Sequence, residues 1–567
     1  MLSIATYCQA TRKYLTFFEK GNGNTSADYQ EIKRFYKLLD HDFETIKLTQ
    51  MGLTDGGEPL QMVVFSSNKI FDFDKLTKTK TIILINNGIH AGESDGIDAS
   101  MQLFRDLALG KIVVPKNVVL IAIPVYNIEG CLNRNSTTRV NQNGPEEYGF
   151  RANGRNFDLN RDCIKTDTKN NKSFSEMYHL VQPDIFIDNH VSNGADYQYA
   201  LTYIMTEPKK LGNPLGDFIA NELTPAIVAD LKFKNIVASP YVNVERTMPE
   251  KGFAQFFDSP RYTTGYASLF NSIGFVVETH MLKSYSSRVK VTYEFIKSTL
   301  EFAEKNTSKI KKVRIENQKQ FQPKQKYVLK WAIDSTKVTK IQFLGYEGLY
   351  KKSEVTTTER LFYDRTKPFQ KEIDFYGVYK PIKDIIIPDF YVIPKAFWTI
   401  TNLLQLNKIQ YKLVQRDTII EVQSYRIVEY NTTKNAYEGH YLHSATRVAL
   451  STVKKQFFKG DFIVSTKQIG VKYLLETLEP EAVDSFFNWN FFDTILQQKE
   501  GYSEYVFEDL ANDFLNKNPY LRTLLELKIK QDKNFAKNPE AQLDWVHKNS
   551  PFYEKEHLQY PIYRILN

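Results

Sequence analysis

Thr81-Ile82-Ile83-Leu84-Ile85-Asn86-Asn87-Gly88-Ile89-His90-Ala91-Gly92-Glu93 decides how the first half of the chain is read. Thr81 to Ile85 is a short, almost wholly apolar run, the pattern of a strand buried on both faces. Asn86-Asn87-Gly88 then signals a turn. With Ser94 or Asp95 as cap, Ile97, Met101, Phe104 and Leu107 fall on one face of a helix. The same kind of apolar strand recurs at Val118 to Val125, at Asp184 to Ile187 and at Gly274 to Val277. Upstream, Leu60 to Phe65 reads as a strand. Ala27 to Glu44 reads as a helix, with Tyr29, Ile32, Phe35, Tyr36, Leu38 and Leu39 at helical spacing. Strands alternating with helices imply an α/β/α layering around a central, largely parallel or mixed sheet. A long helix from about Val289 to Glu316 closes that unit.

Beyond Lys324 the segments Tyr327 to Ile333, Lys340 to Leu344, Lys383 to Ile387 and Ile419 to Val428 are β-rich and separated by polar turns. From about Thr477 the pattern is helical again. The reading is therefore an N-terminal segment over 1–24, an α/β domain over 25–318, and a β-rich domain with a helical tail over 319–567. A length of 567 residues exceeds what one core organises, so two domains or more are expected.

Lys and Arg number 74 against 66 Asp and Glu, a weak bias on this length, and no basic block with interleaved aromatics supports nucleic-acid binding. The densest basic run, Lys309-Ile310-Lys311-Lys312-Val313-Arg314, reads as a solvated helix face. No apolar run reaches membrane-spanning length, so integral membrane association is not expected. Met1 to Ala10 is apolar and ends in a small residue. It reads as the remnant of an export signal, which implies a periplasmic or secreted protein, or else as an apolar first element of a cytoplasmic one. Cys131 and Cys163 are able to pair or to remain free and buried.

His90 and Glu93, three apart in a loop leaving a strand, can reach one metal ion, and zinc accepts imidazole nitrogen and carboxylate oxygen. His41 and Glu44 repeat the spacing but sit at the tail of a helical pattern. His90 follows the end of an apolar strand, where ligands of open α/β sheets gather. His190 ends Asp184-Ile185-Phe186-Ile187-Asp188-Asn189-His190 in the same way and is the candidate third ligand, leaving one position open as catalytic zinc requires. Glu278 ends Gly274-Phe275-Val276-Val277-Glu278, and a carboxylate there needs a task or a partner. The task would be general base. The partner would be His280, two residues on. Arg151, Arg155 and Arg161 lie within eleven residues among Asn and Gly, a loop suited to gripping a planar anion.

Taken together these residues resemble the zinc metallocarboxypeptidases. The family's His-x-x-Glu and distant His are matched by His90, Glu93 and His190, and its Asp-x-Asn-Arg by Asp158-Leu159-Asn160-Arg161. Arg151 stands nine residues before Asn160, the spacing of the oxyanion-binding Arg in the carboxypeptidase D branch, and Glu278 matches the catalytic Glu. The resemblance covers about residues 25 to 310. It implies one zinc per chain and Asp158 orienting His90. It also implies Arg151 stabilising the oxyanion, and Asn160 with Arg161 holding the terminal carboxylate of a peptide substrate. Glu278 would activate the attacking water and then protonate the leaving amine.

Two departures stand out. Gly92 occupies the position where pancreatic members carry a substrate-contacting Arg, and the family's flexible tyrosine has three candidates, Tyr241, Tyr262 and Tyr266. The rival functions are a zinc amidase or deacylase acting on a small acylated amino acid, and a catalytically silent peptide- or glycan-binding protein.

Overall fold

The computed structural model describes residues 12–566. Eight strands form the central sheet: β1 (Ile46–Leu53), β2 (Pro59–Phe65), β3 (Thr81–Asn86), β4 (Val118–Ile123), β5 (Ile185–Ser192), β6 (Leu201–Met205), β7 (Ala238–Pro240) and β8 (Ile273–His280). Their order is β1-β2-β4-β3-β5-β8-β6-β7. The central strands β4, β3, β5 and β8 run parallel. The antiparallel pairs β1/β2, β2/β4 and β6/β8 make the sheet mixed, as the sequence implies.

Side chains of these strands alternate between two apolar layers. Ile82 and Leu84 join one layer while Ile83 and Ile85 join the other; Val119, Ile121 and Ile123 alternate likewise with Val118, Leu120 and Ala122. A strand covered on both faces gains nothing from polar positions, which is why these segments read as continuous apolar runs. One layer is closed by the helices Tyr29–Asp42, Asp95–Ala108 and Tyr285–Gln318. Ile97, Met101, Phe104 and Leu107 are all buried there. Ser94 holds the N-cap position, but its side chain makes no capping bond. The other layer takes Phe174, Met177, Tyr178 and Val181 of the helix Lys169–Val181, which Thr168 caps. That helix is absent from the sequence reading, because its polar first turn masks the apolar stripe.

In the second half, Thr339–Lys352 pairs with Glu359–Tyr376, and Lys326–Ile333 with Tyr379–Ile386. A six-stranded sheet contains the long pair Thr418–Thr432 and His443–Phe457. The tail is helical at Glu504–Lys517, Pro519–Gln531 and Pro539–Lys548 but returns to strand at Tyr563–Ile565, which rejoins the six-stranded sheet. Three residues are too few to show a period. One apolar layer runs without a break from Leu84, Ile121 and Phe186 to Tyr391, Leu474 and Trp489 of the second half.

The basic run departs from its expected role. Ile310 and Val313 are buried, and Lys311 and Arg314 both pair with the fully buried Asp184 at the foot of β5. Two cations thus compensate one buried carboxylate, and half of the run fastens the helix to the sheet. Cys131 and Cys163 are both free and buried, in layers on opposite faces of the sheet. No helix among the described residues is long and apolar enough to cross a membrane. Met1 to Ala10, the stretch read as a signal remnant, lies outside the described residues.

Candidate active site

β3 ends at Asn86, and a left-handed Gly88 (φ +62) turns the chain so that His90 and Glu93 follow beside the strand end. His190 lies on β5 next to β3, and Glu278 stands directly opposite it in the parallel register of β5 and β8. Neighbouring parallel strands therefore deliver these residues to one end of the sheet. His90, Glu93 and His190 are all buried, with a donor atom of each within 4.8 Å of the others.

The orientation of the two rings explains what this group can bind. His90 Nδ1 is 3.2 Å from Glu93 Oε1, and His190 Nδ1 is 2.9 Å from Glu93 Oε2. The outer nitrogens face carboxylates: His90 Nε2 lies 3.0 Å from Asp158 Oδ1, and His190 Nε2 lies 3.0 Å from Asp188 Oδ2. A proton on each Nε2 then donates outward, and both Nδ1 lone pairs converge with the Glu93 carboxylate on one point. Such a point calls for positive charge. Burial opposes charge on His190, yet Asp188 and Glu93 together push its pKa well above the ordinary range. Burial likewise raises Glu93, but His90, Arg139 and the His190 hydrogen bond hold it well below the usual carboxylate value. Two imidazole nitrogens and a carboxylate held ionised fit a zinc ion.

Asp158 serves two partners. Besides His90 it receives Arg151 through Nε (3.1 Å) and Nη2 (2.8 Å), both on Oδ2. Burial would raise Asp158, but His90, Arg151 and Arg161 hold it far below the ordinary range. Arg151 Nη1 is left 3.4 Å from His90 Nδ1 and 3.8 Å from Glu93 Oε1, at the edge of the donor group. Arg161 lies farther out. Its Nη1 donates to Asn160 O at 2.8 Å, its Nε to the Tyr437 hydroxyl at 3.0 Å, and its plane covers the Tyr262 ring at 4.6 Å. The Thr263 amide donates to Asn160 Oδ1 (3.4 Å), which leaves the Asn160 amide nitrogen as the donor available to a ligand. Arg155, the third arginine of the loop, turns away to the Asp167 carbonyl at 3.0 Å.

One cleft is lined by His90, Glu93, His190, Arg151, Asn160, Arg161 and Glu278. Burial pushes Glu278 up to about 8, opposed by His190 and Arg151 and reinforced by Glu93 and Asp188. The alternative pairing with His280 does not form. His280 packs on Tyr197 with ring centroids 4.1 Å apart, and its Nε2 lies 3.3 Å from Asp196. Of the three tyrosines, Tyr241 and Tyr262 line the cleft. Tyr266 is buried elsewhere, its hydroxyl donating to Asn407 at 2.6 Å.

Residues 32–189 match the zinc carboxypeptidase family model, a span that contains His90, Glu93, Arg151 and the Asp158-Leu159-Asn160-Arg161 motif. That stretch of the chain is similar to the zinc carboxypeptidases. Carboxypeptidase 2 of Trichophyton tonsurans is 20% identical over 463 residues, covering 76% of this chain and 78% of that protein. Among solved structures, carboxypeptidase A of Helicoverpa armigera is 12% identical with a TM-score of 0.38, over 50% of this chain and 75% of the other. A metallo-carboxypeptidase of Pseudomonas aeruginosa is 10% identical with a TM-score of 0.38, over 50% and 70%. The family match ends one residue before His190, so it is the sheet register that brings His190 to the zinc carboxypeptidase motif.

Two contributors to this candidate site are missing from the sequence reading. Asp188 is braced by Asn86 Nδ2 (3.0 Å) and by the Thr263 hydroxyl while it holds His190. Its signal was available, since residues two apart on a strand share a face. Arg139 donates from Nη2 to Glu93 Oε1 at 2.9 Å, and its Cδ lies 2.5 Å from where a Cβ on Gly92 would stand. A side chain at position 92 and Arg139 thus exclude one another. No local spacing announces a residue so far along the chain.

The donor group sets an expected result for metal content. His90→Ala loses bound zinc, whereas His41→Ala keeps it, because His41 is exposed and turned to its neighbour Asp42. Asp188→Ala should weaken zinc affinity roughly 10–100-fold, the usual effect of removing such an orienting carboxylate. Metal analysis after dialysis against a graded chelator measures all three. Undiminished zinc in His90→Ala would sink the assignment.

Proposed function

We propose that the chain hydrolyses the C-terminal peptide bond of peptides, with one zinc ion held by His90, Glu93 and His190. The observation that carries this reading is the cleft itself. Glu278, in register with His190, lines the same cleft as the donor group, Arg151, Asn160 and Arg161. When bound, zinc supplies Lewis acidity to the scissile carbonyl and to the attacking water.

The remaining roles belong to the chain. Glu278, whose carboxyl burial pushes up to about 8, takes a proton from water and returns it to the departing amine nitrogen. Arg151 Nη1, fixed by Asp158 at the edge of the donor group, donates to the oxygen on which negative charge develops. The Asn160 amide and the free edge of Arg161 hold the terminal carboxylate and so place the last peptide bond over the donor group.

Digestion of a free-acid peptide, followed by mass spectrometry, tests the reading. Stepwise loss of single C-terminal residues is expected. Internal fragments, or release of an acyl group from an N-acyl amino acid with peptides untouched, would assign the site to an endopeptidase or to the amidase alternative.

A further inference from the structure

The second half of the chain reaches into this site. Residues 433–442 join the long strands Thr418–Thr432 and His443–Phe457. Their tip is closed by two backbone bonds between Tyr437 and His440, of 2.7 and 3.1 Å. Glu438 (φ +50) and Gly439 (φ +81) are left-handed there, and a Cβ on Gly439 would come within 3.1 Å of the Phe157 ring. The tip therefore lies close against the arginine loop, with a left-handed backbone at Gly439 that favours glycine.

Three polar contacts fix it to that loop. The Tyr437 hydroxyl accepts from Arg161 Nε (3.0 Å), Glu438 Oε2 accepts from the Asp158 backbone amide (2.8 Å), and His440 Nε2 meets Asp167 Oδ2 (2.8 Å). Tyr437 is itself held from behind. Its ring stacks on the fully buried Trp489, with centroids 6.2 Å and planes 23° apart, and the Arg261 guanidinium covers both rings.

We infer that Tyr437 is a positioning residue: it sets the orientation of Arg161, so that the second half of the chain decides how tightly a substrate's terminal carboxylate is held. The inference rests on the reading of Arg161 given above. A free arginine samples many rotamers, and binding an anion has to select one of them. Here Tyr437 takes Nε–H, Asn160 O takes Nη1–H, and Tyr262 lies under the plane. Among the described residues Nη2 has no hydrogen-bond partner, and Arg161 lines the cleft. The orientation is thus prepared before substrate arrives, and the ordering cost is met in folding.

The test is Tyr437→Phe in the full-length, zinc-loaded chain, alongside wild type and Arg161→Ala. kcat and KM are measured on a peptide with a free C-terminal carboxylate and on its C-terminal amide. Phenylalanine keeps the stack on Trp489 and deletes only the hydroxyl, and a thermal unfolding curve checks that the fold is retained. The expected result is a KM for the free acid raised roughly five- to thirtyfold, with kcat changed by less than about twofold and the amide unaffected. If Arg161→Ala loses the preference for the acid while Tyr437→Phe keeps it with an unchanged KM, the inference is overturned and the reading of Arg161 stands. If Arg161→Ala keeps the preference, that reading falls and this inference falls with it.

Discussion

Glu278→Gln leaves bound zinc at the wild-type level and lowers kcat by roughly 10²–10⁴-fold, the usual contribution of a positioned acid–base group. Glutamine keeps the volume and the place in β8 opposite His190 but has no proton to exchange near neutrality. The three proposed zinc donors are His90, Glu93 and His190, so the substitution removes none of them. Zinc content by elemental analysis and kcat on a free-acid peptide separate the two effects in one preparation. Turnover close to wild type would place the base elsewhere in the cleft. His280→Ala should change kcat far less, since His280 turns to Asp196 and Tyr197 and away from the cleft.

Amidating the substrate's C-terminus lowers kcat/KM by roughly tenfold to thousandfold. A carboxylate held by the Asn160 amide and Arg161 accepts charge-assisted hydrogen bonds from both, and an amide offers one acceptor and no charge. Arg161→Ala should cause a comparable loss on the free acid. The two changes together should be far less than additive, because each removes one partner of the same contact. Arg151→Ala should lower kcat on both substrates, since its Nη1 lies 3.4 Å from His90 Nδ1, beside the donor group and apart from the carboxylate grip. Equal rates of wild type on acid and amide would mean that the terminal carboxylate is not recognised.

The sheet was legible because its central strands are buried on both faces and so leave unbroken apolar runs, with His190 and Glu278 near the ends of theirs and His90 just beyond its own. Chain order and spacing carried the rest of the donor group. Asp188 was legible in principle. Asp188-x-His190 and Glu278-x-His280 are the same pattern, yet the pair forms only in the first. The sequence holds no sign of the difference, since it lies in what else packs there: Asn86 and Thr263 turn Asp188 toward His190, while Asp196 and Tyr197 draw His280 away. Arg139 and Tyr437 were illegible for a related reason. Each reaches the site from a distant stretch of chain, and only the completed packing sets their distance to Glu93 and Arg161.

The strand Tyr563–Ile565 pairs with Phe390–Ile393 and touches Gln423 on the strand that leads to the hairpin tip. The six-stranded sheet is therefore closed by residues translated more than a hundred positions after Tyr437. Domains fold broadly in the order in which they leave the ribosome. His90, Glu93, His190 and Glu278 are consequently made early, while the support under Arg161 comes later. On this order the donor group would be complete in the chain before the support under Arg161 is.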